Sequence, residues 1–251
     1  MINSKKISDI SYNKSDDWYI SLLKKPISIA RYNDGEWYAM RNKCGYNCDR
    51  HRYFEKMNQL LRNAVSDSGN VSDDYIFQSS WCVNEIDVYN NLNMKVQFLK
   101  EDHVHAIFRN RPDKWKQVLD IIHEYPIILV GPLHLKNHPH ISPNIHLVIP
   151  SENCFLKMDM ILGYLKSLLK KETRRNNVIF CASMASNCFI DNLYKYAKGK
   201  HSLLDFGSVF DAMVDDTTIF QRTPVKNKIK EIREQYLNLK MKPRDTRYIY
   251  L

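Results

Sequence analysis

With 251 residues, 44% of them hydrophobic, the chain is long enough for one full α/β domain or two small ones and can bury a core. Seven Gly and nine Pro exclude collagen-like and low-complexity classes, and 26% charged residues with 12% aromatics exclude a disordered chain. The net charge of +9 is compatible with nucleic acid, an anionic membrane surface or phosphorylated small molecules as partners.

The basic residues are dispersed, apart from Lys170-Lys171, Arg174-Arg175 and a tail running from Lys226 to Arg247. A solvated basic surface is therefore the default reading. The opening residues are polar and contain no signal-peptide apolar stretch, and the longest apolar runs (Ile127 to Val130, Val178 to Ala182) fall far short of the ~20 residues of a membrane helix. An intracellular, cytoplasmic location is expected. Cys44, Cys48, Cys82, Cys154, Cys181 and Cys188 form no dense framework and read as reduced thiols. The Asn-X-Ser sequons at Asn13 and Asn70 are then incidental.

In chain order, residues 1–25 form a polar lead-in carrying a short helix around Trp18 to Leu23. Pro26 to Arg31 is a β-like run that stops at Tyr32-Asn33-Asp34-Gly35-Glu36, a turn by its chemistry. Residues 53–65 read as a helix, with Phe54, Met57, Leu60, Leu61 and Ala64 at helical spacing. Tyr75 to Phe77 and Val104 to Phe108 are candidate strands. Asp113 is a candidate cap for a helix presenting Trp115, Val118, Leu119 and Ile122. Strands follow at Ile127 to Val130, broken by Gly131-Pro132, and at Ile145 to Ile149. Ser151 is expected to cap a long amphipathic helix with Phe155, Met158, Leu162, Leu165 and Leu169 inward. Val178 to Ala182 is a buried strand, Ser186 to Ala197 a helix, and Ser202 to Phe206 the final strand; residues 225–240 read as a basic helix before an irregular tail.

This alternation indicates an α/β fold with a mostly parallel sheet and helices on both faces. With no repeat and no linker, a single domain over residues 1–251 is expected, with a core at about 26–214 and a basic helical tail at 215–251. Ligands of such sheets bind beyond the carboxyl ends of the strands, which nominates the residues just after each strand.

Four constellations lie there. In Arg31-Tyr32-Asn33-Asp34-Gly35-Glu36, Asp34 and Glu36 are hard oxygen ligands suited to Mg²⁺ or Mn²⁺. Arg31 can fork onto a phosphate. The competing reading makes Asp34 a helix cap and Glu36 a first-turn residue. In Ala182-Ser183-Met184-Ala185-Ser186-Asn187, a strand-to-helix turn offers free N–H groups to a diphosphate, aided by Ser183 or Ser186; plain capping by Ser186 is the alternative. In Asp205-Phe206-Gly207-Ser208-Val209-Phe210-Asp211, two carboxylates can supply a general base or hold a sugar hydroxyl. Asp211 is the preferred base, and Asp205 reads equally as a loop cap. His134 follows its strand directly and can touch a ligand, whereas His138 and His140 read as loop residues. Zinc is disfavoured, because these His and the Cys44 to His51 segment lack the spacing of a four-ligand site.

The stretch Ser28-Ile29-Ala30-Arg31-Tyr32-Asn33-Asp34-Gly35-Glu36 resembles the Arg-Phe-Gly-Asp-Gly-Glu signature of GT-D-type glycosyltransferases, with Arg31, Asp34 and Glu36 at matching positions and Asn33 in place of Gly. Asn177 to Ala185 is similar to the strand before that family's Gly-Pro-Thr-Ala-like turn, without the Gly-Pro pair. Leu204-Asp205-Phe206-Gly207-Ser208 is similar to its Leu-Asp-Ile-Gly-His stretch, with Ser208 replacing His. The likeness spans roughly residues 26 to 214. It implies a Rossmann-like fold, a metal-associated Asp-X-Glu motif, and transfer of a sugar from a nucleotide-diphosphate donor, a UDP-sugar, to a glycan or glycoconjugate hydroxyl.

No Gly-X-Gly-X-X-Gly, Walker loop or Gly-X-Ser-X-Gly occurs, which disfavours dinucleotide oxidoreductases, P-loop kinases and α/β-hydrolases. Trp18, Trp37, Trp81 and Trp115 read as core or pocket wall, with Trp37 and Tyr38 able to stack on a base or sugar. A basic nucleic-acid-binding protein and a non-catalytic sugar-nucleotide binder are the alternatives.

Overall fold

The computed structural model describes residues 11–42, 44–47, 50–66, 72–79, 94–214, 229–236 and 238–251. The amino-terminal half contains β1 (Ser11–Tyr12), α1 (Asp16–Leu23), β2 (Ser28–Arg31), α2 (Asp34–Arg41), β3 (Gly45–Tyr46), β4 (Arg52–Tyr53), α3 (Glu55–Ser66), β5 (Tyr75–Gln78) and β6 (Phe98–Leu99). There follow α4 (His103–Asn110), α5 (Pro112–His123), β7 (Ile127–Pro132), β8 (Ile145–Ile149) and α6 (Met158–Lys171). The chain closes with β9 (Asn177–Phe180), α7 (Ala185–Ala197), β10 (Ser202–Asp205), α8 (Ile229–Gln235) and β11 (Arg247–Tyr250). Single 3₁₀ turns span Leu133–Leu135, Cys154–Lys157 and Asp211–Met213.

Among the described residues, nine strands form one sheet in the order β1-β6-β5-β2-β10-β9-β7-β8-β11, with every pairing between them parallel. β3 and β4 make a separate antiparallel hairpin. The expected Rossmann-like architecture, a parallel sheet with helices on both faces, is therefore present. Register aligns Ile76, Ile29, Leu204, Ile179 and Leu129 in one row across five strands. All five side chains belong to the core between the sheet and the helices α1, α4, α5 and α8. Their neighbours Ala30, Phe77, Val178, Phe180, Ile128 and Val130 fill the opposite core, against α2, α3, α6 and α7. This is the period-two alternation of strands buried on both sides.

Several expectations are corrected. Val104 to Phe108 belongs to a helix, not a strand. Asp102 caps it by accepting the His105 N–H, and Val104, Ile107 and Phe108 are buried at helical spacing. Asp113 does not cap α5: Arg111 holds the cap position and Pro112 begins the helix, where its fixed φ and missing N–H cost nothing. Ser151 does not cap α6, which starts at Met158 after the 3₁₀ turn. The tail helix ends at Gln235, sooner than expected, and beyond it β11 joins the sheet edge beside β8. His138 and His140 lie in the loop between β7 and β8, as expected, and are buried within it, at 6% and 0% exposure. Trp81, Cys48, Cys82, Asn70, Lys226 and Lys228 lie outside the described residues. Cys44, Cys154, Cys181 and Cys188 are free thiols. Among the described residues, no helix is long and apolar enough to cross a membrane.

Candidate functional site

β2 and β10 are neighbours, yet their continuations leave toward opposite faces. α2 packs Trp37 and Met40 into one core, while Phe206, Phe210 and Ala212 enter the other. Divergence of this kind opens a crevice at the carboxyl ends of the strands. The crevice holds a cleft of about 510 Å³, within the usual size of small-molecule sites. Arg31, Asp34, Glu36, His134, Ser183, Asp205 and Asp211 all line it. Of the residues singled out in the sequence for the site, Ser186 is absent from this wall.

Arg31 is held on all sides. Its N–H donates to Asn187 Oδ1 at 3.0 Å, and Asn187 Nδ2 donates back to its carbonyl at 2.6 Å, tying the end of β2 to α7. Nε donates to Asp102 Oδ1 at 3.0 Å and Nη2 donates to Asp102 Oδ2, the two-pronged geometry of a strong Arg–carboxylate pair. Nη1 lies 3.8 Å from Asp205 Oδ1. Gly207, at φ +52°, has no Cβ, and one placed there would run into Nη1 of Arg31. The side chain is 5% exposed. Arg31 is therefore a buried structural cation, which differs from the expected fork onto a phosphate.

Glu36 fulfils the competing reading of a first-turn residue. Its Oε2 accepts the Asn33 N–H at 2.9 Å, completing a capping box at the start of α2. Burial, reinforced by the neighbouring Asp205 charge, pushes its carboxyl up to about 8. Burial also raises Asp205 to about 6, with Asp102 adding to the rise and Arg31 opposing it. Asp34 begins α2 on the cleft wall. Burial would raise Asp102, but the Arg31 charge and hydrogen bonds, with His105, hold it below the usual carboxylate range. Asp34 shares the cleft wall with these two carboxyls, and carboxylate oxygens are the ligand type that hard divalent cations take.

Ser183 lies in the turn between β9 and α7, in the left-handed region at φ 52°, and its Oγ accepts from Asn47 Nδ2 at 3.2 Å. Ser186 is fully buried; its Oγ accepts the Ala182 N–H at 3.2 Å and also bonds Asp205. Ser186 shapes the turn from within and faces no ligand.

His134 and Asp211, weighed separately as candidate bases, are partners: Nε2 lies 3.1 Å from Oδ1, with both side chains partly exposed. The segment carrying Asp211 is anchored from behind. His138 Nδ1 accepts the His140 N–H at 3.1 Å, so its Nε2 carries the hydrogen and donates to the Phe210 carbonyl at 2.8 Å. His146 Nε2 likewise donates to the Gly131 carbonyl at 3.0 Å, three residues before His134.

Sequence reasoning missed Asn47, His51, Asp102, His105 and Arg109, which all line the cleft. The last three come from the end of β6 and from α4, the segment misread as a strand. Asn47 and His51 lie in the segment weighed for zinc. A different group, Asp16, Glu101 and His103, brings three potential ligand atoms within 4.8 Å of one another and could hold a cation. There Asp16 is already engaged by His103 Nδ1 at 2.9 Å, Arg111 Nη1 at 2.6 Å and Lys114 Nζ at 3.7 Å. The group is chiefly an ion-pair network joining α1, α4 and α5.

No protein-family model and no curated protein matches the chain. Among solved structures, it is similar to one described as a new glycosyltransferase (DUF1792) from Streptococcus sanguinis. The TM-score is 0.59 at 12% identity, covering 79% of this chain and 81% of that one. The chain has the fold of that glycosyltransferase. A second structure of domain of unknown function 1792 aligns with a TM-score of 0.52 at 14% identity, covering 78% and 83%. The fold of these DUF1792 proteins is the one implied by the GT-D resemblance of Arg31, Asp34 and Glu36.

Proposed function

We propose that this chain is a glycosyltransferase that moves a sugar from a nucleotide-diphosphate donor, a UDP-sugar, to a hydroxyl on a glycan or glycoconjugate, assisted by Mn²⁺ or Mg²⁺. The observation that carries the reading is one cleft, in a glycosyltransferase-type fold, lined by Asp34, Glu36 and Asp205 and by the His134–Asp211 pair.

In this reading Asp34 and Glu36, with Asp205 beside them, hold the cation. Bound there, it would neutralise charge on the diphosphate as the sugar leaves. The turn at Ser183 offers backbone N–H groups at the start of α7 to the same anion. An ionised carboxylate only accepts hydrogen bonds, so with Asp211 charged the His134 Nε2 carries the hydrogen. That leaves the Nδ1 lone pair of His134 to take the proton of the acceptor hydroxyl, with Asp211 orienting the ring and stabilising the imidazolium. His134 thus becomes the base and Asp211 its partner.

The test is to incubate the protein with a panel of UDP-sugars and glycan acceptors, with Mn²⁺ or with EDTA, and to analyse products by mass. Transfer in Mn²⁺ but not in EDTA is expected. If no nucleotide sugar is consumed and none raises the melting temperature, the reading fails.

A further inference from the structure

A diphosphate brings at least two negative charges into a cleft already lined by the carboxylates of Asp34, Glu36, Glu101, Asp102, Asp205 and Asp211. Among the described lining residues, Arg31 and Arg109 are the permanent cations. Arg31 is taken up by Asp102 on two sides and by Asp205 at 3.8 Å, and it is almost wholly buried. Its charge balances the protein's own carboxylates and is not free for a ligand.

Arg109 differs in each respect. It is exposed, and among the described residues no carboxylate lies within ion-pair distance of it. It lies near the end of α4, whose buried face is Val104, Ile107 and Phe108. The other face, through His105, Ala106, Arg109 and Asn110, borders the cleft. These positions recur at spacings of one, three and four, so one stripe of the helix looks into the cleft. The helix is tied down at its start, where the Asp102 carboxylate accepts from both Arg31 and the His105 N–H. Arg109 thus extends from a fixed element.

We infer that Arg109 is the diphosphate anchor, its guanidinium pairing with phosphate oxygens of a nucleoside diphosphate or of pyrophosphate. The planar fork of Arg suits such oxygens, and it neutralises charge where the carboxylates of the lining would repel the ligand. The naming of a nucleotide donor rests on the glycosyltransferase reading; the anion site itself rests on the charge inventory of the cleft.

Calorimetric titration with UDP, pyrophosphate and uridine, in EDTA at low salt, tests the inference on the wild type, Arg109→Ala, Arg109→Gln and Arg109→Lys. Arg109→Ala and Arg109→Gln are expected to weaken UDP and pyrophosphate tenfold or more and leave uridine unchanged, with unaltered melting temperatures. Arg109→Lys is expected to retain part of the affinity. A wild type that does not bind pyrophosphate, or an Arg109→Ala that binds it as the wild type does, overturns the inference. Pyrophosphate binding that depends on Arg109, without consumption of any nucleotide sugar, supports the anion site and sinks the glycosyltransferase reading. Sugar transfer with an unchanged donor KM in Arg109→Ala does the reverse.

Discussion

Arg31→Met keeps the length and apolar stem of the side chain and removes the charge beneath Asp102 and Asp205. The guanidinium is 5% exposed, against 13% for Asp102 and 4% for Asp205, so water cannot replace the lost partner. Breaking a buried pair by deleting one member costs about 3–5 kcal/mol. For a chain of this size each kcal/mol moves the melting temperature by about 2–4 °C, so a drop of about 6–20 °C is expected. The deficit also depends on pH. In the wild type burial is the largest single influence on Asp102, but the Arg31 charge and hydrogen bond, with His105, together outweigh it and hold Asp102 low. Without it, burial raises that carboxyl above its unfolded value. A raised acid favours the fold while protonated and loses that benefit as pH rises through its folded pKa. The loss should therefore be larger at pH 8 than at pH 5. Melting curves by circular dichroism at both pH values supply the measurement, with Arg31→Met/Asp102→Leu as the partner experiment; the double variant should recover a large share of the loss. An Arg31→Met melting within 2 °C of the wild type at pH 8 would refute the account of Arg31 as a buried structural cation, where at least about 6 °C is expected.

Asp34→Ala and Glu36→Ala should each lower sugar transfer in Mn²⁺ about a hundredfold, since removal of a charge-stabilising group costs roughly 3 kcal/mol. Glu36→Ala should also lose about 1 kcal/mol of stability through the broken capping box, readable by urea denaturation; normal turnover would leave Glu36 a helix cap and nothing more. His134→Ala and Asp211→Asn should each collapse transfer while calorimetric donor affinity stays within about threefold, and the double variant should be no worse than the worse single one, as for groups acting as a unit. Additive losses would separate the two roles. Burial lowers His105 and His138 to about 3, and His123 and His140 to about 4. Below pH 6.5 the unfolded chain takes up protons that the fold refuses, so stability should fall with acidification from 6.5 to 5, by up to about 1.4 kcal/mol per pH unit for each ring. Glu36 and Asp205, as raised acids, act in the opposite sense, two groups against four. Equal urea midpoints at pH 7 and pH 5 would contradict the burial of these histidines.

The strands were legible where they are longest and buried on both faces. Ile127 to Val130, Ile145 to Ile149 and Val178 to Phe180 announce themselves as short apolar runs between turn residues. β1 and β6 contain two residues each, too few to carry a period, and β11 follows a charged tail whose polarity masks it. α4 was misread because five mostly apolar residues fit a strand as well as a helix, and Asp102, its cap, was not weighed. The cleft residues at the strand ends were found because topology puts strand ends together. The intramolecular partners of Arg31 and Ser186 were not legible, because what occupies a polar group depends on residues distant in sequence. Asp102 lies 71 positions from Arg31, and no local pattern joins them. His138 and His140 are the loop residues they read as, but their burial against the Phe210 carbonyl and the Trp115 indole depends on partners distant in sequence.

The pairing of β2 with β10 has a consequence for the order in which the protein can be made. β2 ends at residue 31, whereas its partner, the strand that joins the two halves of the sheet, ends at residue 205. On a ribosome moving at about 5–20 residues per second, roughly 9 to 35 s separate their appearance. Through that interval β2 offers an unpaired apolar edge, the kind of surface on which other chains add strands. The charges of Arg31 and Asp205 meet across the same seam, so the cleft is assembled by the same late event that joins the two halves. A nascent chain halted before residue 202 should carry two unjoined half-sheets and an unassembled binding site, and would need shielding from its neighbours until β10 arrives.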